Sequence, residues 1–212
     1  AAYNNPAKVV GGDFYDFFIF EEHKYGVAIA DVSGKGIPAA MFMGSTRNIV
    51  RAETRVDYSP THLLKDSNKL ICADSEHGMF VTMFYAVIDS HNKVITYGNA
   101  GHNDQLLIKK NKDVIHLNAH GKALGIETDS EYEEKVIFYE DGDMLILFTD
   151  GVVESLGGDD LDIVQGDKQL SELAWHYLDK EPEEFIENLK NNLNERTKDA
   201  YKDDFTIFII RF

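Results

Sequence analysis

The chain has 212 residues, 43% of them hydrophobic and 27% charged, which is enough for a substantial apolar core in a globular protein. A formal net charge of −16 argues against nucleic acid, which needs a basic footprint, and against anionic membrane surfaces. The lone cysteine, Cys72, excludes an internal disulfide and fits a reducing cytoplasm; no apolar run reaches bilayer-spanning length, and the first residues lack a signal-peptide pattern.

In chain order, Phe14 to Phe20 and Tyr25 to Val32 read as strands joined by the polar, hairpin-like Glu21-Glu22-His23-Lys24. Gly34 and Gly36 break that pattern. Pro38 suits the first turn of a helix, with Ile37, Ala40, Met41 and Gly44 at helical spacing and an end near Glu53. Ser59-Pro60 has the form of an N-cap with Pro at N1, opening a second helix toward Asp74. Phe80 to Ile88 is almost continuously apolar, as in a strand covered on both faces. Further strands are expected at 94–98, 105–108, 114–117, 132–139 and 144–148, with turns at Asn92-Lys93 and Asp141-Gly142. The polar stretch from Gly157 to Asp167 reads as a loop. Leu170, Leu173, Ala174, Tyr177 and Leu178 then form a helical stripe, and another helix starts near Pro182 with Phe185, Leu189 and Leu193 on one face. Phe205 to Ile210 closes the chain as a strand. Segregation of strands from helices favours an α+β architecture of two packed sheets with helices on the outer faces.

Four acidic motifs stand at the edges of these apolar runs: Gly11-Gly12-Asp13, Asp31-Val32-Ser33-Gly34-Lys35-Gly36, Thr149-Asp150-Gly151 and Asp203-Asp204-Phe205-Thr206. Each alone has an ordinary reading as a cap, a tight turn or a solvated charge pair. Brought together, such carboxylates repel unless a cation sits among them, and an all-oxygen donor set suits Mg²⁺ or Mn²⁺. The second motif lacks the spacing and the Lys-Ser/Thr pair of a Walker A loop. His102, in Asn99-Ala100-Gly101-His102, is read as organising a turn by hydrogen bonds.

With Pro6-Ala7, Val10 through Asp16, Pro38-Ala39, Phe80 through Phe84, Asn99 through Asn103, Leu124-Gly125 and Gly142-Asp143, these motifs fall in one order along nearly the whole chain. In that order they resemble the metal-dependent serine/threonine protein phosphatases (PPM, 2C-type), specifically the bacterial SpoIIE/RsbU-like branch. The resemblance implies a four-layer αββα sandwich, two antiparallel sheets flanked by helix pairs, and one phosphatase domain over residues 1–212. It also implies two Mn²⁺ or Mg²⁺ ions. Asp31 would bridge them with help from the Val32 carbonyl, Asp13 would serve the first, and Asp150 and Asp203 the other, with Asp204 adjacent. Asp31, Asp150 and Asp203 would thereby support hydrolysis of phosphoserine or phosphothreonine by activated water. Two departures stand out. Eukaryotic relatives carry a His where this chain has Ser33, and an Arg near the N-terminus, whereas here no Arg precedes Arg47, leaving Lys35 as a further phosphate contact.

The resemblance further implies a cytoplasmic bacterial signalling role. The substrate would be a small regulatory phosphoprotein of the anti-sigma-factor antagonist (STAS) type, and a sensor or receiver domain would lie upstream. Activity would be set by that missing sequence or by homodimerisation, without nucleic-acid or membrane contact by this domain. The alternative is a catalytically silent, protein-binding module of the same fold; a two-metal nuclease is disfavoured by the net charge.

Overall fold

A computed structural model describes residues 1–74, 78–157, 163–197 and 203–212, with side chains described as far as residue 192 in the last helix. A short strand, β1 (Ala2–Asn5), precedes the first motif. In β2 (Phe14–Glu21), buried Phe14, Asp16 and Phe18 alternate with exposed Tyr15, Phe17 and Ile19, the two-residue period of a pleated strand. A tight turn, with His23 at φ 68°, leads into β3 (Lys24–Val32). Gly36 takes φ 83° at the start of α1 (Ile37–Glu53), where Pro38 occupies the first turn and loses no helical bond. There follow α2 (Pro60–Asp74), β4 (Val81–Asp89), β5 (Val94–Ala100), β6 (Gln105–Ile108), β7 (Val114–Leu117), β8 (Glu134–Phe138) and β9 (Met144–Phe148). The chain ends through α3 (Asp150–Gly157), α4 (Ile163–Tyr177), α5 (Pro182–Thr197) and β10 (Phe205–Arg211).

The chain divides into two compact units. The first comprises residues 1–9, 104–117 and 140–212, and the second residues 10–103 and 118–139. In the first, all pairings are antiparallel in the order β1-β10-β9-β6-β7. Alternate residues Leu106, Ile108, Met144, Ile146, Phe148, Phe205, Ile207 and Ile209 form a core with Val152 and Leu156 of α3, Leu170 and Ala174 of α4, and Phe185 and Leu189 of α5. In the second, the antiparallel order is β2-β3-β4-β5-β8, and Phe14, Phe18, Ala28, Ala30, Met83 and Tyr85 pack with Ala39 and Val50 of α1 and with Leu63, Leu64 and Ile71 of α2.

The α+β class and two antiparallel sheets expected from sequence are present. Three details differ. Among the described residues the first unit carries a helix beyond the expected two, α3, which begins at Asp150. Helix α4 begins at Ile163, so residues 163–167 are helical and not loop. Strand β8 is confined to Glu134–Phe138 within the expected 132–139. The expected contribution of Leu193 to the face of α5 lies outside the described side chains. Among the described residues, no helix is long and apolar enough to cross a membrane.

Candidate metal centre

Each unit brings two of the four acidic motifs together. In the second unit, Asp13 directly precedes β2 and is buried, and Asp31 lies at the end of β3. Pairing of Phe14 with Ala30 sets the two carboxylate-bearing segments side by side. Gly12 closes the approach. A Cβ there would lie 3.0 Å from the Val32 carbonyl oxygen and 3.4 Å from Ala39 Cβ, so the first motif lies tightly against the second and against the first turn of α1, and a side chain at Gly12 would press its neighbours by a few tenths of an ångström. Beyond Val32, Ser33 is tied down twice: its N–H donates to the Phe80 carbonyl at 2.9 Å, and its hydroxyl accepts the Phe80 N–H at 3.0 Å.

In the first unit, Asp150 opens α3 directly after β9, and Asp203-Asp204 lead into β10, its neighbour in the sheet. The Thr149 N–H donates to the Thr206 carbonyl at 3.0 Å, and the Thr206 N–H to Thr149 Oγ1 at 3.2 Å. A Cβ on Gly151 would collide with the Asp204 carbonyl oxygen and lie 3.5 Å from Asp203 Cβ, so the Thr-Asp-Gly and Asp-Asp motifs are in contact. Asp203 Oδ1 accepts the Asp204 N–H at 2.8 Å, while the buried Asp204 carboxylate accepts the Ala7 N–H at 2.8 Å.

The structure thus sets Asp13 beside Asp31 and Val32, and Asp150 beside Asp203 and Asp204. Among the described residues, no group of three or more His, Cys, Asp or Glu is placed to hold a metal by itself. The donor chemistry nonetheless fits a hard cation. Every candidate offers oxygen, and Mg²⁺ commonly takes only one or two carboxylates, filling its remaining positions with water and substrate phosphate.

Three supports escaped the sequence reading. Gln105 is fully buried, and its side-chain amide pairs with the Phe148 peptide, accepting the N–H at 2.6 Å and donating to the carbonyl at 3.2 Å, two residues before Asp150. Thr82 Oγ1 lies 2.8 Å from His102 Nδ1 and 3.4 Å from the Asp31 carbonyl; with the proton on Nδ1, His102 donates to Thr82 and Thr82 to Asp31. Asn99 holds the His102 backbone from both sides, at 2.7 and 2.9 Å, which gives His102 its place in the turn. Finally, the earliest arginines, Arg47 and Arg51, both reach buried Asp16. A lone polar residue in an apolar strand was the available signal for Thr82, Gln105 and Asp16 alike.

The family model described as Stage II sporulation protein E (SpoIIE) matches residues 21–212. The phosphoserine phosphatase RsbU of Bacillus subtilis (strain 168) is 31% identical over 207 residues, 97% of this chain but only 61% of that protein. The chain therefore spans less than two thirds of this curated relative. Among solved structures, the SiaA-PP2C domain of Pseudomonas aeruginosa superposes with a TM-score of 0.86 at 22% identity, covering 100% of this chain and 85% of that one. RsbX in complex with magnesium superposes with a TM-score of 0.71 at 18% identity, covering 98% and 92%. These likenesses show a PP2C-type fold, and the match over residues 21–212 shows that the chain belongs to the SpoIIE family.

Proposed function

We propose that this chain is a phosphoserine/phosphothreonine protein phosphatase domain that uses two Mg²⁺ or Mn²⁺ ions. Asp13, Asp31 and the Val32 carbonyl are assigned as ligands in this reading, as are Asp150 and Asp203. Asp204 takes a supporting part, since its carboxylate carries Ala7. The observation that carries this reading is the pairing of acidic motifs through Gly12 and Gly151: a side chain at Gly12 would crowd Val32, and one at Gly151 would collide with the Asp204 carbonyl oxygen.

When bound, such a pair of cations supplies acidified water for attack on phosphorus and neutralises charge on the phosphoryl oxygens. The chain's own residues fix positions. Ser33 anchors the loop after Asp31 through Phe80 and is not assigned as the acid for the leaving oxygen. Exposed Lys35 adds positive charge on that loop for an anionic ester. Likeness to the phosphoserine phosphatase RsbU supports a phosphoserine substrate; the family resemblance adds, as part of this proposal, a small regulatory phosphoprotein of STAS type as that substrate and control by a regulatory segment or by homodimerisation.

The test is turnover of a phosphoserine protein, para-nitrophenyl phosphate and DNA, with Mn²⁺ or with excess EDTA. Turnover of the first two only with metal is expected, and Asp31→Asn and Asp150→Asn should each lower the rate about a hundredfold or more. Full activity after verified metal removal would reject the mechanism. A folded, metal-loaded chain with no turnover would favour the silent protein-binding module.

A further inference from the structure

Asp16 is an expensive residue to bury. It is 4% exposed, on the face of β2 shared with Phe14 and Phe18, where an apolar side chain would fit the pattern. Both of its oxygens are held by α1. Arg51 Nε donates to Oδ2 at 2.5 Å and Arg51 Nη2 to Oδ1 at 2.6 Å; Arg47, one turn earlier, reaches Oδ2 with Nε at 3.2 Å and Oδ1 with Nη2 at 3.3 Å. The Phe17 N–H adds a bond to Oδ1 at 3.0 Å, and the Arg51 guanidinium lies 5.7 Å from the Phe18 ring centroid. A buried ion pair is weak evidence for stability, because apolar residues of similar volume often serve as well or better. A bidentate guanidinium–carboxylate pair does supply direction.

That direction falls on the proposed ligands. Asp16 is three residues after Asp13, and α1 starts directly after the Asp31–Gly36 loop. At its first turn, α1 meets this segment where Ala39 faces Gly12. Arg51 lies about 20 Å further along the helix, at 1.5 Å per residue. Two separated fixed points set the line of α1 along β2, and with it the placement of the Val32 carbonyl against Gly12. We infer that the Asp16–Arg51 clasp, seconded by Arg47, is a positioning device for the metal-ligand pair Asp13 and Asp31–Val32, and not primarily a stabilising contact. This inference rests on the proposed metal reading.

The experiment titrates metal-stripped protein with MnCl₂ alone by calorimetry, beside thermal melts. The double variant Asp16→Leu/Arg51→Met leaves net charge unchanged and replaces the pair by apolar bulk. It should melt within a few degrees of the parent yet bind Mn²⁺ about tenfold more weakly or worse. Arg51→Lys, which keeps the charge and loses the fork, should weaken binding in the same direction. Asp143→Asn, which breaks a buried ion pair with Lys109, should lower the melting temperature and leave Mn²⁺ affinity in place. Parent-like Mn²⁺ affinity in a folded double variant overturns the clasp; should that variant not fold, parent-like affinity in Arg51→Lys does so. If Asp31→Asn abolishes Mn²⁺ binding while the clasp variants keep it, only this inference fails. If the parent binds no Mn²⁺, or Asp31→Asn binds it unchanged, the metal reading fails with it.

Discussion

Ser33 sits where the family resemblance would place a histidine of eukaryotic members, and its own contacts give it a structural part. Its hydroxyl accepts the Phe80 N–H at 3.0 Å, a role that closes the β3–β4 end and asks nothing of its acidity. A serine hydroxyl is also too weak an acid to protonate a leaving alkoxide near neutral pH. Ser33→Ala should therefore cost about 1 kcal/mol of stability, the usual worth of one such bond, and less than about tenfold in turnover of a phosphoserine protein. Melting curves and rates on phosphoserine and on para-nitrophenyl phosphate check both halves. A thousandfold loss on phosphoserine in a folded, metal-binding variant would give Ser33 a catalytic role. The acidic residues themselves were legible in the sequence because each follows or precedes an apolar run. Their pairing came only from the family resemblance and not from the residues themselves, since a glycine beside an aspartate reads equally well as a turn.

Element by element, the sequence was most legible where periodicity and punctuation agree. α1 has Gly36 and Pro38 at its start, α2 has Ser59-Pro60, and both run where expected. The loop expected over 157–167 failed at the start of α4, where Gly166 and Asp167 imitate loop composition, and its residues 158–162 lie outside the described ones. Gly166 shows why: a Cβ there would strike the Val153 carbonyl oxygen, so this glycine serves close helix–helix contact and not a turn. Gly166→Ala should destabilise the first unit by about 1–3 kcal/mol through overpacking, despite alanine's better helix propensity, and thermal or urea denaturation would show the sign. The same unit depends on Asp143, which is fully buried between the ends of β6 and β9. It accepts bonds from Lys109 Nζ at 2.5 Å, the Glu140 N–H at 2.7 Å and the Lys110 N–H at 2.9 Å. Burial alone pushes this carboxyl's pKa up, but those bonds outweigh it and hold the pKa below the ordinary range. A folded-state pKa below the unfolded one, near ~3.9, gives stability that is present above that value and lost as pH falls through the lower, folded one. Asp143→Asn should thus lose about 3 kcal/mol at neutral pH and show a shallower acid melt below about pH 4 than the parent. Equal acid slopes would remove Asp143 from the account.

At the scale of the whole molecule, a net charge of −16 is a burden that bound divalent cations would offset in part. Ligand that binds only the folded state stabilises by mass action, about 2.7 kcal/mol at a hundredfold excess over Kd. For a chain of this size that should raise the melting temperature by roughly 5–10 °C, at roughly 2–4 °C per kcal/mol. Mn²⁺ should produce this rise in the parent, EDTA should reverse it, and Asp31→Asn should lose most of it. A rise of equal size in Asp31→Asn would place the cation elsewhere.

The connectivity of the two units bears on how such a chain can be dissected. The first unit is assembled from three separated stretches and the second from two, with crossings after residues 9, 103, 117 and 139. Any single break between β1 and β10 therefore cuts the first sheet, whereas a break after residue 139 leaves every strand of the second sheet on one piece. Even removing the first nine residues takes away the strand paired with β10 and the Ala7 amide that Asp204 holds. A fragment of this segment that ends anywhere between β1 and β10 therefore lacks at least one strand of the sheet that carries Asp150 and Asp203, so dissecting the chain into separate acidic pairs costs that sheet.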